Sequence, residues 1–366
     1  MKKRIWAPFA VIAAFALVAA ACGDDDAAPA TVAPIATAAP AATAAPTAAP
    51  AVAPAGNPTQ LDVAMVLVGV KEEPYYSTLI DSVSRATDAK PHGLAFSLEV
   101  IEEISFADGE RVIRDLAQTG LYEMIIAHST YWDSIAAVAP EFPDIVFVFS
   151  GSGNQPVGGN AYWIDVFIHE PAYLAGIMAG MMTETNQISG VAAFPFPNVN
   201  APLNAFIEGA KSVNPDVTAE VTYIDSWFDP AKAKDAAAAQ IASGSDMIYA
   251  ERFGPFTAAE ESDRVFAFGH FSDQLGISPE VVLTSPLAIW DPAFNRLVEE
   301  WWLHATEGKP YDAPMQRIMF LMRDGGSDLG NINDALPEDV KAAVDEARAA
   351  ILSGDLLIAL NPGPIE

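Results

Sequence analysis

Aromatic and polar residues recur in this chain just where short apolar runs end. Lys71-Glu72-Glu73-Pro74-Tyr75-Tyr76 follows the run 61–68, and His128-Ser129-Thr130-Tyr131-Trp132 follows 122–127. Phe194-Pro195-Phe196-Pro197 follows 188–193, and Asp225-Ser226-Trp227-Phe228-Asp229-Pro230 follows 217–224. Glu251-Arg252-Phe253 and Gly269-His270-Phe271-Ser272-Asp273 close two later runs. If the runs are parallel strands, these residues share the edge at which open α/β sheets bind ligands. Rings with a few polar neighbours suit a flat guest, stacked on its faces and gripped at its rim. Trp227, in a loop between Ser226 and Phe228, is expected in such a cleft, and Tyr75 is a candidate stacker. Tyr76 fits equally the apolar face of a helix, and Phe228 a sheet edge. Asp273 could accept from a ligand N–H or cap a turn. Asp229-Pro230 reads first as a helix start, with Asp as N-cap and Pro at the first helical position.

Signals for catalysis are sparse. The sequence holds no Walker A loop, no HExxH pair and no GxSxG elbow. Gly151-Ser152-Gly153 follows an apolar run but does not continue to GxGxxG, so it reads as a turn. The histidines at 92, 128, 169, 270 and 304 do not pair at ligand spacing, and no metal or cofactor is expected. Glu72, Asp225 and Asp273 stand where a secreted nucleoside-processing enzyme would keep an acid and a base. That is the alternative from a different functional class.

The elements that must position these residues alternate. Strands are expected at 61–68, 96–104, 122–127 and 145–149, with helices at 75–89, 107–118 and 132–139 between them. After 161–168 the pattern resumes: helix 172–182, strand 188–193, helix 203–212, strand 217–224, helix 230–242, strand 247–250. Such alternation with short connections indicates doubly wound parallel sheets covered on both faces. The chain has 366 residues with 19 basic and 48 acidic side chains. Lys2, Lys3 and Arg4 balance Asp24, Asp25 and Asp26, so the net charge of −29 belongs to residues 58–366. That length exceeds what one core usually serves, so two lobes are expected. Lobe 1 is placed at 58–169 with roughly 275–310 returning to it, and lobe 2 at 170–274 with 311–366 packing on it. So acidic a surface repels phosphate backbones, which argues against nucleic acid as a partner. A single cysteine excludes a disulfide framework.

Residues 1–21 read as a signal peptide, with a basic start and an apolar run from Ile5 to Ala21. Leu17-Val18-Ala19-Ala20-Ala21-Cys22 resembles a lipobox, with Ala19 where Leu is usual. Cys22 then becomes the lipid attachment point, and the Ala/Pro-rich stretch 22–57 a tether. The expected location is extracytoplasmic, anchored to the cell membrane by lipid.

At these residues the chain resembles the basic membrane protein (BMP) family. The resemblance rests on Glu170-Pro171-Ala172-Tyr173-Leu174-Ala175-Gly176, on Met182-Thr183-Glu184-Thr185-Asn186 and Gly190, and on Phe206-Ile207-Glu208-Gly209-Ala210. Ser212-Val213-Asn214-Pro215-Asp216-Val217, Trp227-Phe228-Asp229-Pro230 and Ser272-Asp273-Gln274 complete it. It implies a type I periplasmic-binding-protein fold with two lobes and a multi-crossover hinge. It also implies a monomeric substrate-binding lipoprotein that serves the permease of an ABC importer and catalyses nothing. Nucleoside-binding members carry Asp-x-Ser-Phe-Asn where Glu72-Glu73-Pro74-Tyr75-Tyr76 stands here. They hold the ribose with an Asp of a Val-Asp-x-Asp-Gln segment and a later Lys, matched to His270 and Ala288. Phe194-Pro195-Phe196-Pro197, Trp227-Phe228-Asp229-Pro230 and Trp290 instead look like a branch that takes a free purine base such as adenine. The ligand contacts so implied are Tyr75, Trp227 and Asp273, then Phe196 and Trp290. Tyr76, Tyr131 and Arg252 complete the candidate set, Arg252 with no family motif behind it. A purine nucleoside receptor of the same family is the nearer alternative.

Overall fold

Strand β1 (Gln60–Leu67) is buried along nearly its whole length, the signature of a parallel strand covered on both faces. The computed structural model to which it belongs describes residues 56–365. The expected signal peptide, Cys22 and the tether as far as residue 55 lie outside the described residues.

Helix α1 (Pro74–Ala89) opens with Pro74, whose fixed φ suits a first helical position, and stops at Lys90 in a left-handed conformation. Strand β2 (Ala95–Ile101), helix α2 (Phe106–Thr119), strand β3 (Met124–His128), helix α3 (Trp132–Val138), strand β4 (Val146–Ser150) and strand β5 (Ala161–Val166) follow. The Ser105 side chain caps α2 by accepting from the Asp108 amide at 3.2 Å.

The chain then leaves this sheet through helix α4 (His169–Met182), strand β6 (Gln187–Ala192), helix α5 (Pro197–Val213), strand β7 (Thr218–Tyr223), helix α6 (Pro230–Ala242), strand β8 (Met247–Ala250), helix α7 (Pro255–Glu260), and strands β9 (Phe266–Phe268) and β10 (Val282–Thr284). Asp229 does cap α6, accepting from the Lys232 amide at 3.0 Å. Strand β11 (Pro286–Ala288), helix α8 (Asp291–Glu307), strand β12 (Ile318–Phe320), strand β13 (Ser327–Leu329) and helix α9 (Glu338–Ser353) complete the described chain.

Two parallel sheets result. The first runs β12-β5-β4-β3-β1-β2 and the second β10-β9-β8-β6-β7, while β11 and β13 form a small antiparallel pair. The chain passes between the lobes at 167–168, 285–290 and 321–326. The return to lobe 1 falls later than the expected 275–310. Strand β10 still pairs with β9, and β12, beyond residue 310, closes the first sheet beside β5. Helix α9 packs into the core of lobe 2 through Val340, Val344 and Ile351.

Helix α5 starts at Pro197, six residues ahead of the expected 203, and carries Pro202 inside it. The inner proline hid the first turns from the sequence pattern. Helix α4 is buried almost all round, and it meets α5 backbone to backbone. A Cβ at Gly176 would lie 2.0 Å from the Phe206 carbonyl oxygen, and one at Gly209 2.0 Å from that of Tyr173. Only glycine permits this approach.

Candidate functional site

The carboxyl ends of β3 and β4 and the first turn of α1 meet on the cleft side of lobe 1. Tyr75 lies there with its ring stacked on that of His128, centroids 4.4 Å apart and planes 21° apart. Tyr75 Oη is 3.2 Å from Ser150 Oγ, and Ser150 Oγ in turn bonds His128 Nδ1. His128 Nε2 donates to the Tyr75 carbonyl at 2.8 Å. His128 is fully buried, and burial pulls its pKa down to about 4, so it is neutral at pH 7.

On lobe 2 the loops after β6, β7 and β8 converge. Phe194, Phe196 and Trp227 form one aromatic cluster, with centroid separations of 5.0–5.7 Å. Trp227 and Phe196 keep 42% and 48% of their surface, which leaves ring area for a guest. Arg252 fixes the Trp227 loop. Its Nη1 donates to the Trp227 carbonyl at 2.7 Å, and its guanidinium carbon lies 5.7 Å from the centroid of the indole. The other side of the guanidinium clamps the buried Glu251 carboxylate at 2.7 and 2.9 Å. Glu251 also accepts from the Ala193 amide at 2.9 Å. Burial raises the Glu251 pKa against the pull of Arg252, and it drives His270 well below its usual range. His270 Nδ1 lies 3.0 Å from Tyr249 Oη, and its Nε2 3.8 Å from Glu251.

The lobes touch. Ser152 Oγ donates to Asn198 Oδ1 at 2.9 Å. Glu73 and Pro74 face Trp227, Phe228, Arg252 and Gln274 across a space of about 20 Å³, roughly the room one water needs. Burial raises the Glu73 pKa, and Arg252 opposes the rise from across the gap.

The candidate residues divide. Trp227 and Arg252 face Glu73 and Pro74 across the gap between the lobes, Phe196 lies against Trp227, and Tyr75 follows Pro74 in lobe 1. Tyr131 is fully buried: its hydroxyl donates to the Ile104 carbonyl at 2.6 Å, and its ring fills the space beside Gly109. Trp290 is also fully buried, its indole N–H taken by Thr78 Oγ1 at 3.1 Å, and it packs edge-on to Tyr75 and His128. Tyr76 lies in the lobe 1 core, edge-on to Tyr75. The Asp273 carboxylate is bound within the chain, accepting from the Asn331 amide, the Asn331 side chain and the Leu275 amide. Counted back from Asp273-Gln274, the residue at the family's sugar-gripping Asp is Phe271 rather than His270. Phe271 holds a positive φ of 62°, unusual for a bulky residue, with its ring tilted against Tyr75 at 5.6 Å. Its carbonyl accepts from the Ala288 amide at 2.8 Å.

Sequence reasoning passed over His128 and Ser150 as partners of Tyr75, and Phe194 as a member of the aromatic wall. Their signal was position, since each stands at or just after a strand's carboxyl end. Nothing in the spacing shows that 75, 128 and 150 meet.

The family model described as "ABC transporter substrate-binding protein PnrA-like" matches residues 61–306. A purine-binding protein of Brucella abortus is 30% identical over 267 residues, covering 71% of each chain. A Haloferax volcanii protein named for ABC-linked glucose binding is 31% identical over 249 residues, 68% of this chain and 62% of that one. Among solved structures, a solute-binding protein of an ABC transporter system from Conexibacter woesei superposes with a TM-score of 0.65 at 22% identity, over 82% of this chain and 99% of the other. That likeness is one of fold: two α/β lobes of the periplasmic-binding-protein kind.

Proposed function

Since the chain belongs to the Bmp family of ABC transporter substrate-binding proteins, we propose that it captures a purine base, adenine-like in shape, in the cleft between its lobes. Family membership makes it a carrier that delivers a ligand, not an enzyme. In this reading the protein works as a monomer, held outside the cytoplasm by lipid at Cys22, and presents the base to its importer's permease.

One observation carries the choice of a bare ring. Aromatic rings stand on both lobes: partly buried Tyr75, next to Pro74, on one, and the exposed rings of Trp227 and Phe196 on the other. Phe271 and Ala288 meanwhile stand where nucleoside binders grip ribose. A buried sugar hydroxyl without partners costs about 1–3 kcal/mol, so losing two charged contacts disfavours a nucleoside. The mechanism is hinge closure about the three crossings. A ring entering the open cleft stacks on one lobe, and closure brings the second wall and the Ser152–Asn198 contact into place.

The test is calorimetric titration of protein unfolded and refolded to strip carried-over ligand. The panel is adenine, guanine, hypoxanthine, their nucleosides, and glucose. Tight binding of a base with weak binding of its nucleoside supports the reading. Tight nucleoside binding overturns the choice of base, and glucose binding without purine binding overturns the ligand class.

A further inference from the structure

The hydrogen bonds beneath Tyr75 have a forced direction. The Tyr75 carbonyl can only accept, so His128 Nε2 carries the hydrogen. The ring is neutral, so Nδ1 is a bare lone pair and needs a donor. Ser150 is the one side chain bonded to it, and its hydroxyl hydrogen therefore points at Nδ1. That leaves Ser150 Oγ facing Tyr75 Oη with lone pairs only. The phenol hydrogen must then point at Ser150, or two oxygens would meet lone pair to lone pair at 3.2 Å. The loop closes on itself, from Tyr75 hydroxyl to Ser150 to His128 and back to the Tyr75 backbone.

We propose that His128 and Ser150 set the polarity of the ligand edge of lobe 1, making Tyr75 Oη an obligate hydrogen-bond acceptor toward the ligand. The inference rests on the reading of the cleft as a base-binding site. Its consequence is chemical: the ligand must turn a hydrogen-bond donor toward Tyr75, and in the base-binding reading that donor is a ring N–H. A free purine base has a ring imidazole N–H, whereas a nucleoside carries its sugar on that nitrogen. The same loop holds the Tyr75 ring stacked against His128. His128 and Ser150 are positioning residues here, acting through Tyr75.

The experiment compares adenine with 9-methyladenine, which replaces the ring N–H with N–CH₃. Titrations use the wild-type chain, Tyr75→Phe and Ser150→Ala. Wild type should prefer adenine by about tenfold or more, the scale of an unmet buried hydrogen bond. Tyr75→Phe keeps the ring and any steric rejection of the methyl group but removes the acceptor, so the preference should shrink several-fold. Ser150→Ala frees the phenol hydrogen and should shrink it as well, with thermal melts confirming that both variants fold. A preference unchanged in either folded variant overturns the inference while leaving the base-binding reading intact. A wild-type protein that binds adenine and 9-methyladenine alike overturns it too. A wild-type protein that binds neither fails the base-binding reading itself. Should Tyr75→Phe fail to fold, Ser150→Ala alone decides.

Discussion

Replacing His128 with asparagine should flatten part of the chain's acid sensitivity by an amount the structure sets. His128 is buried between Tyr75 and Ser150, and its pKa falls from 6.5 to about 4. Between those values the unfolded chain binds a proton that the folded chain refuses. Stability from this group is therefore complete above about pH 6.5 and is lost progressively as pH falls toward 4. One pKa unit corresponds to 1.36 kcal/mol, so lowering the pH from 7.5 to 5.0 should cost about 2 kcal/mol through His128 alone. His169, also near 4, adds a change of the same sign, and Asp165 one of the opposite sign. Neither confounds the comparison, since both remain in the variant. The assay is urea unfolding of wild type and His128→Asn at both pH values. Wild type should lose about 2 kcal/mol more than the variant across the interval, whatever the variant's stability at pH 7.5. Parallel losses would refute the neutral, buried His128 on which the hydrogen-bond direction at Tyr75 depends.

Trp227→Ala should weaken base binding by about 1–3 kcal/mol, the range of base–aromatic stacking, and unchanged affinity by calorimetry would remove Trp227 from the site. Gly209→Ala forces a Cβ to within 2.0 Å of the Tyr173 carbonyl, so α4 and α5 must separate. Thermal unfolding should show a loss of about 1–3 kcal/mol, and a melting point at the wild-type value would contradict the packing. Asp165 lies one residue before the end of β5, ahead of the first crossing, and bonds Arg317 at 3.1 Å; burial, outweighing that arginine, lifts its pKa to about 7. Its folded pKa exceeds its unfolded value, so its contribution should fall by up to about 4 kcal/mol as pH rises from 4 to 7. Asp165→Asn should remove that downward trend, measurable by denaturant titration.

The order of strands and helices was legible because burial on both faces writes near-continuous apolar runs, as along β1, β3 and β4. What escaped were elements whose signal is tertiary. Strands β11 and β13 have three residues each and exist through their pairing with each other. Strand β10 reads from sequence as the start of the return to lobe 1, yet its parallel pairing with β9 keeps it in lobe 2. In the site, ring type was readable but ring orientation was not. Tyr131 and Trp290 follow strand-end or cleft-edge positions in sequence, yet each finds a backbone or side-chain acceptor inside lobe 1 and turns inward.

In the proposed reading, the residues that carry the family resemblance and those that choose the ligand are different sets. Tyr173, Gly176, Phe206, Gly209 and Ala210 carry much of the resemblance, and they meet one another where α4 crosses α5. They preserve a backbone-to-backbone approach inside lobe 2 that any ligand would tolerate. The proposed ligand contacts lie elsewhere, at Tyr75 with its partners His128 and Ser150, and at Phe271 and Ala288. Relatives named for purine and for glucose binding match this chain at nearly the same identity, 30% and 31%. A ligand assigned from overall identity would weight the wrong residues. One assigned from the hydrogen-bond polarity at Tyr75 and the apolar pair at Phe271 and Ala288 weights those that would touch it.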